Sequence, residues 1–520
     1  MTDSKYDRQL RLWGADGQQR LASTHVLLVQ ANATGAETLK NLVLPGVQRF
    51  TILDDALVQS ADVTNNFFVS HAHLNAPRAQ VVTELLLEMN SDVSGSFRQA
   101  DPRQVLQGEP SYFEQFDLII STQLEADFME TLGELCWQKR IPLLLVASYG
   151  LLGYFRLQVP QHSIADAKND PPIHELRLSR PFPALTEYAA GFDLEKLSSI
   201  EHAHVPFVVI LLKAVDAWKA RHGGQLPKTF PEKNEFKQLV KSMAHGPQGH
   251  EVNFEEAMDN AYKAYAPPIV PEEVSSVLAT ARTLTLTNET PSFWLLARGL
   301  ADFVDANDGM LPITGIVPDM TASTDTYVTL QNLYVAKAKE DADQVRSHVQ
   351  RHLAALQLPA TYVTDVDAFC KNAYNIGVLE TRSIAQEWKA ADTSRVDLEE
   401  EHTTQSPLIW YFCLRAVAAF ASEFRRYPGS NPAMVENDIE WVLQTAKTLA
   451  GKDSPVATWI SGDHAMELTR SCEVELHNVA ALMGGIASQE AIKIITQQFL
   501  PLNHTYVFNG ITGTAATYEL

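Results

Sequence analysis

The stretch from Val26 to Asp54, VLLVQANATGAETLKNLVLPGVQRFTILD, constrains the fold more than any other part of the chain. Val26 to Val29 is a short apolar run, Gly35 opens a helical pattern closed by Pro45 and Gly46, and Phe50 to Leu53 is a second apolar run ending at Asp54. Short apolar runs flanking a helix-periodic segment predict a strand, a helix and a parallel strand. In a dinucleotide fold the turn after the first strand reads G-x-G-x-x-G, because only glycine lets the backbone approach a pyrophosphate and close onto the helix. Here Gln30 and Asn32 hold the first two glycine places, and only Gly35 is kept. Gly35 serves close packing of helix on strand, so the architecture is kept and the phosphate cradle is filled.

The 520 residues suffice for about two to four domains with a sizeable core. A net charge of −22 argues against general binding to nucleic acid or to an anionic membrane, which favour basic surfaces. The N-terminus MTDSKYDRQL has no apolar signal core, and no run of the length a membrane span needs stands out, so a cytoplasmic or nuclear protein is expected. Cys136, Cys370, Cys413 and Cys472 lie far apart with no C-x-x-C pair, which predicts free thiols packed mostly in helices.

Along the chain, Tyr6 to Leu21 reads as an amphipathic arm with Leu10, Trp13 and Leu21 able to cover a sheet edge or a partner. RAQVVTELLLEM after Pro77 predicts a helix, FDLIIST a strand, Leu124 to Arg140 a helix and IPLLLVAS a buried strand. YGLLGYFRLQV alternates and is expected to form a strand that leaves this layer. From Gln161 the texture changes: prolines 171, 172, 181 and 183 mark a linker, and the periodic segments up to Ala450 are helical. Helix Val479 to Gln498 and the strands TYVFNG and TAATYEL return to the first texture. Gly484 and Gly485, both inside that helix, are expected to allow close approach of another backbone. The fold class is α/β, a Rossmann-like domain built from both chain ends (residues 1–160 and 465–520) and interrupted by a mainly helical insertion (161–464) large enough for two subdomains.

KYDRQLRLWG, NNFF (Asn65 to Phe68) and ALMGGIASQEAIKIIT, together with the βαβ opening, resemble the activating enzymes of ubiquitin-like modifiers. TPSFWLLARGL, IVPDMTAST with TYVTLQNLYVAKAKEDA, and RYPG make the insertion similar to that of the regulatory subunits of neddylation-activating enzymes. The resemblance implies an adenylation-type domain and, in the insertion, the equivalent of a catalytic-cysteine domain without its cysteine. Active members bind ATP and magnesium, adenylate the C-terminal glycine of the modifier and pass it to a cysteine.

Carried over residue by residue, that machinery is missing here. Asp54 matches the first acid of the adenylation motif, but Ala56 stands for the second, Asn65 for the phosphate-binding arginine, Ala76 for a lysine and Leu124 for a magnesium-binding acid. With Gln30 and Asn32, these changes remove donors and ligands that phosphate and a hard cation need, so the chain is expected to bind no cofactor and no metal of its own. The resemblance implies a heterodimer with a catalytic subunit that holds ATP and magnesium and works on the modifier, with a conjugating enzyme reached through the complex. It also puts Arg8 of Y-x-R-Q at the position that crosses to the partner's ATP phosphates.

Other readings of the same residues are an NAD-dependent oxidoreductase, with Asp54 on a ribose, and a self-contained activating enzyme. The first needs an open phosphate turn. The second needs an ATP site and a nucleophilic cysteine, whereas Cys370 and Cys413 read as core residues. His202 and His204 lack the further ligands of a metal site and read as a polar turn before a helix.

Overall fold

The computed structural model describes residues 4–122, 125–168, 173, 175–245, 251–396, 406–451 and 454–520. The chain folds into two compact units, one of Met1–Ile164 with Val378–Leu520 and the other of Ala165–Gly377.

The first unit is built on an eight-stranded sheet. Its strands are β1 (His25–Val29), β2 (Arg49–Leu53), β3 (Ser94–Arg98), β4 (Leu118–Ser121), β5 (Leu143–Tyr149) and β6 (Leu152–Gln158), then, after β7 (His162–Ile164) and β8 (Gly377–Leu379) of a separate two-stranded sheet, β9 (Thr505–Asn509) and β10 (Thr514–Tyr518). The spatial order is β10-β9-β6-β5-β4-β1-β2-β3, with β3, β2, β1, β4 and β5 parallel and the last three strands antiparallel. Strand β6 pairs with both β5 and β9, so it stays in the layer it was expected to leave. Gly150, with φ +56°, makes the tight reversal that returns the chain beside β5.

Helices cover this sheet: α1 (Asp7–Leu21), α2 (Ala33–Val43), α3 (Arg78–Met89), α4 (Ala126–Lys139), α5 (Pro407–Phe424), α6 (Val435–Ala450), α7 (Gly462–Ser471) and α8 (His477–Thr496). The central parallel strands β1, β4 and β5 are mostly apolar and buried, as expected of strands covered on both faces. A Cβ on Gly35 would lie 2.6 Å from the Gln30 carbonyl oxygen, which is the close helix-on-strand contact the βαβ reading assigns to it. A Cβ on Gly484 would lie 2.7 Å from Glu37 Cβ and 2.9 Å from Thr38 N, so α8 and α2 touch backbone to backbone there. Gly485 differs: nothing lies within 4 Å of its Cβ position, and the expectation of close packing fails at that residue.

The sheet-bearing unit takes the chain back at Val378, well before the return at 465 expected from texture. The physical reason is α5, apolar nearly all round, whose Trp410, Phe412 and Cys413 share one core with Leu27, Leu145 and Val507. A buried polar network supports the same assignment. Arg156 of β6 pairs with Glu387, both fully buried, and Glu387 also accepts from Tyr411 Oη at 2.8 Å. Such a pair specifies its neighbours, because removing one member leaves a buried charge. Two helices, Pro407–Phe424 and His477–Thr496, are in fact long and apolar enough to cross a membrane, contrary to the reading of the sequence. Both lie mostly buried inside the first unit, over 78% and 61% of an 18-residue stretch of each.

The second unit is helical and has its own core, in which Phe182, Val208, Leu211, Phe236, Phe254 and Tyr334 pack together. Its longest helix, Thr324–Ala355, starts with Ser323 capping Thr326 N, and the Tyr334 hydroxyl donates to the Leu176 carbonyl at 2.6 Å.

Candidate functional site

Strand β1 is followed by β2 on one side and neighbours β4 on the other, so the strand order reverses at its C-terminal end. Open α/β sheets bind ligands in the crevice at such a point. Here it holds a cavity of about 280 Å³ whose lining includes Gln30, Asn32, Asn65, Arg78, Ser148 and Glu475.

The floor of the crevice is the N-terminus of α2, where successive backbone N–H groups have no partner within the helix. In this chain every one of the first three is taken. Ala33 N donates to Glu475 Oε2 at 2.8 Å, Thr34 N to Glu475 Oε1 at 3.2 Å, and Gly35 N to the Asn32 side chain at 3.0 Å. Thr34 Oγ1 and Ser148 Oγ add donors to Glu475 Oε1 at 2.5 and 3.2 Å. Glu475 lies 442 positions from Ala33 in sequence. It reaches the seat from the link between α7 and α8, where Cys472 and Glu473 are consecutive non-glycine residues at φ +44° and +67°. Left-handed backbone at such residues costs about 1–2 kcal/mol each. The link is laid along the end of β5, with Gly150 N donating to the Val474 carbonyl at 2.7 Å.

The wall of the crevice is an ion-pair chain. Asp54, fully buried at the end of β2, accepts from Ala31 N at 2.9 Å, Ala56 N at 3.0 Å and Arg78 Nε at 2.8 Å. Arg78 Nη1 donates to Asp62 Oδ1 at 3.0 Å. Burial disfavours the Arg78 cation, and Asp54 and Asp62 together overrule it, so its pKa is raised. Glu473 meets solvent inside the cavity, yet protein surrounds it. Burial first, then Glu125, pushes its carboxyl up to about 7. Burial likewise raises Glu475, against the donors that hold it ionised.

The residues singled out from sequence fall as follows. Gln30, Asn32 and Asn65 line the cavity. Gln30 takes the left-handed conformation (φ +66°) that the fold reserves for glycine, and Asn32 caps α2. Ala56 offers backbone groups alone, its N–H to Asp54 and its carbonyl to Arg78 N, and Ala76 is not among the lining residues. Leu124 lies outside the described residues. Asp54 is consumed by Arg78 rather than free for a ribose hydroxyl. Glu475, Arg78 and Asp62 were missed, since no local motif joins an acid after position 470 to a turn at position 33.

The cavity's fit to a polyphosphate is poor: the amide seat already holds a carboxylate, Asp62, Glu473 and Glu475 supply negative charge, and the cation Arg78 is already paired with Asp54 and Asp62. Cysteine chemistry has no foothold either. Cys136, Cys370 and Cys413 are buried, and burial pushes the Cys370 and Cys413 thiols up to about 12. Cys472 is half-buried and also raised by burial. Neither histidine of EHAHVP points to a metal. His202 Nδ1 pairs with Glu251 at 3.0 Å and its ring stacks on His245, while His204 Nδ1 meets the Ile200 carbonyl.

Arg8 lies elsewhere, on the arm. It is exposed on α1, and among the described residues it has no hydrogen bond or ion pair, whereas Arg11 pairs with Asp7 at 2.8 Å. The arm itself is pinned at both ends. Tyr6 Oη and Lys5 Nζ donate to Asp92 at 2.9 and 2.6 Å, Trp13 is buried, and Gln498 Nε2 donates to the Trp13 carbonyl at 2.8 Å.

Known proteins supply the remaining evidence. The profile of the ThiF family matches residues 6–519. The NEDD8-activating enzyme E1 regulatory subunit of Xenopus laevis is 38% identical over 100% of this chain and 98% of its own length. The protein of that name in Drosophila melanogaster is 36% identical over 99% and 97%, and the one in Saccharomyces cerevisiae 26% identical over 99% and 100%. Among solved structures, E. coli MccB with ATP overlaps 41% of this chain and 63% of its own at 13% identity, with a TM-score of 0.28. By the family profile and by full-length similarity, the chain belongs to the ThiF family, among the NEDD8-activating enzyme E1 regulatory subunits.

Proposed function

We propose that this chain is the non-catalytic half of a heterodimeric activating enzyme for a cullin-modifying ubiquitin-like protein, acting only with a catalytic subunit that holds ATP and magnesium. The observation that carries the reading is the saturation of its own cradle: Glu475 fills the anion seat and Asp54 and Asp62 consume Arg78. A fold retained without its ligand site fits a surface that must still pair with a related subunit, as pseudosymmetric assembly requires. The conjugating enzyme is reached through the complex.

On this reading Arg8 enters the partner's site. An arginine stays charged and presents a fork of donors matched to phosphate oxygens, which stabilises charge moving onto pyrophosphate as the modifier's carboxylate attacks. Its exposure, its lack of a partner among the described residues and the pinned arm around it support this role.

Calorimetry of the isolated chain with ATP and magnesium tests the first part. The expected result is no binding at micromolar ATP, and micromolar affinity overturns the reading. Mixing the chain with the catalytic subunit at micromolar concentration should give a heterodimer by size-exclusion chromatography. A persistent monomer contradicts it. Replacing the four cysteines should leave thioester formation on the partner intact wherever the complex still assembles.

A further inference from the structure

We propose that Glu475 is a tethered stand-in for a phosphate: its carboxylate occupies the anion seat of the fold and keeps the cradle shut to nucleotides. The inference rests on the reading that this chain's own site is closed, and adds the group that closes it.

An acid at a helix N-terminus is common, so the case depends on what is unusual here. Ordinary first-turn acids come from the helix itself, but α2 has none in its first turn and its cap is already filled by Asn32. Glu475 comes from a different part of the chain and uses both oxygens, one on Ala33 N and the other on Thr34 N and Thr34 Oγ1. The two hydroxyls of the seat belong to buried side chains, Thr34 at 0% and Ser148 at 5% exposure. Together the amides and hydroxyls converge on one point as phosphate-binding groups do at helix N-termini. The strap carrying Glu475 adopts left-handed backbone at two successive non-glycine residues, strain that the seated carboxylate offsets. A phosphate could take the same donors only by displacing Glu475, and would then face Glu473 and Asp62 at the cavity wall.

The competing explanation is that Glu475 is a fastener for the strap, with no anion preference left in the seat once it is gone. Chemical rescue separates the two. Thermal unfolding of the full chain is followed in sodium chloride and in sodium acetate at equal ionic strength, for the wild type, Glu475→Ala, and Glu475→Ala with Thr34→Val. Acetate returns the carboxylate that the substitution removes. The expected result is a saturable rise in Tm of at least ~1 °C for Glu475→Ala alone, with pyrophosphate giving the same rise at roughly tenfold lower concentration. The same salt response in all three chains overturns the proposal.

Should Glu475→Ala fail to fold in chloride, refolding it in acetate should recover it; recovery in neither salt also overturns the proposal. Titration of the wild type with ATP keeps the two ideas apart. Binding there contradicts the closed-site reading, whereas a wild type that binds no ATP beside a Glu475→Ala variant blind to anions contradicts this inference only.

Discussion

Arg78 and Arg8 sit on the same unit and carry the same charge in opposite circumstances. Arg78 is nearly enclosed, with Asp54 and Asp62 holding its guanidinium, and its charge is spent on keeping β2 and α3 in register. Arg8 is exposed, unpartnered among the described residues, and held on an arm whose two ends are fastened. A charge that is already neutralised stabilises the fold, and one left over is available to another molecule. On the function proposed above, the contrast separates a nucleotide-type crevice converted to structure from a surface arm kept for use.

The largest effect should come from breaking the enclosed side. Asp54→Ala leaves Arg78 with one acid and strands the Ala31 and Ala56 amides, a change of about 3 kcal/mol or more in urea unfolding. Arg8→Ala should leave the same curve within about 0.5 kcal/mol. Equal losses would dissolve the distinction between the two arginines.

The next test concerns what holds the crevice floor in place. Gly484→Ala puts a Cβ against Glu37 and the Thr38 backbone and should cost about 1–3 kcal/mol by forcing α8 from α2. Its neighbour should behave oppositely: Gly485→Ala meets nothing within 4 Å and should gain up to about 1 kcal/mol of helix propensity. Thermal unfolding of the two variants side by side checks both signs.

The last test is in pH. Burial and then Glu125 raise the Glu473 carboxyl from 4.5 to about 7. An acid with a raised folded pKa contributes its relative stability fully below the unfolded value and loses it as pH rises through the folded one. The wild type should therefore lose stability relative to Glu473→Gln between pH 4.5 and about 7, and stay level above that. A wild type that instead gains stability relative to Glu473→Gln as pH rises through that window would show that Glu473 is held ionised.

Much of the enclosed side was legible in sequence because its signals are local. The periodicity of Val26 to Asp54 marks two strands and a helix, and Gln30 and Asn32 displace glycines at fixed offsets in the turn. What stayed hidden depends on distant pairing. Glu475 acquires its meaning only when α8 brings it beside α2, and Arg78 reads as an ordinary first-turn residue until Asp54 is seen buried next to it. Strand β3, SGSFR, sits at the sheet edge and lacks an apolar run, with Gly95 making room for the Phe50 ring. The return of the chain at Val378 was concealed for a similar reason: α5 is helical like the insertion, and only its burial against the sheet assigns it to the first unit. Gly484 and Gly485 show the limit most sharply, since of two adjacent identical residues one packs against α2 and the other meets nothing within 4 Å.

The most direct test of the account is modifier-dependent ATP–pyrophosphate exchange by the reconstituted heterodimer, comparing wild type, Arg8→Ala and Arg11→Ala at equal dimer content. Arginine fingers give up to ~10⁵-fold in phosphoryl transfer, but the partner carries its own cations. The account predicts a loss of ~10 to 10³-fold for Arg8→Ala, equivalent to about 1.4–4 kcal/mol, and near wild-type exchange for Arg11→Ala, whose side chain already pairs with Asp7. Wild-type exchange by Arg8→Ala would contradict the account and leave this chain a scaffold with no part in the chemistry.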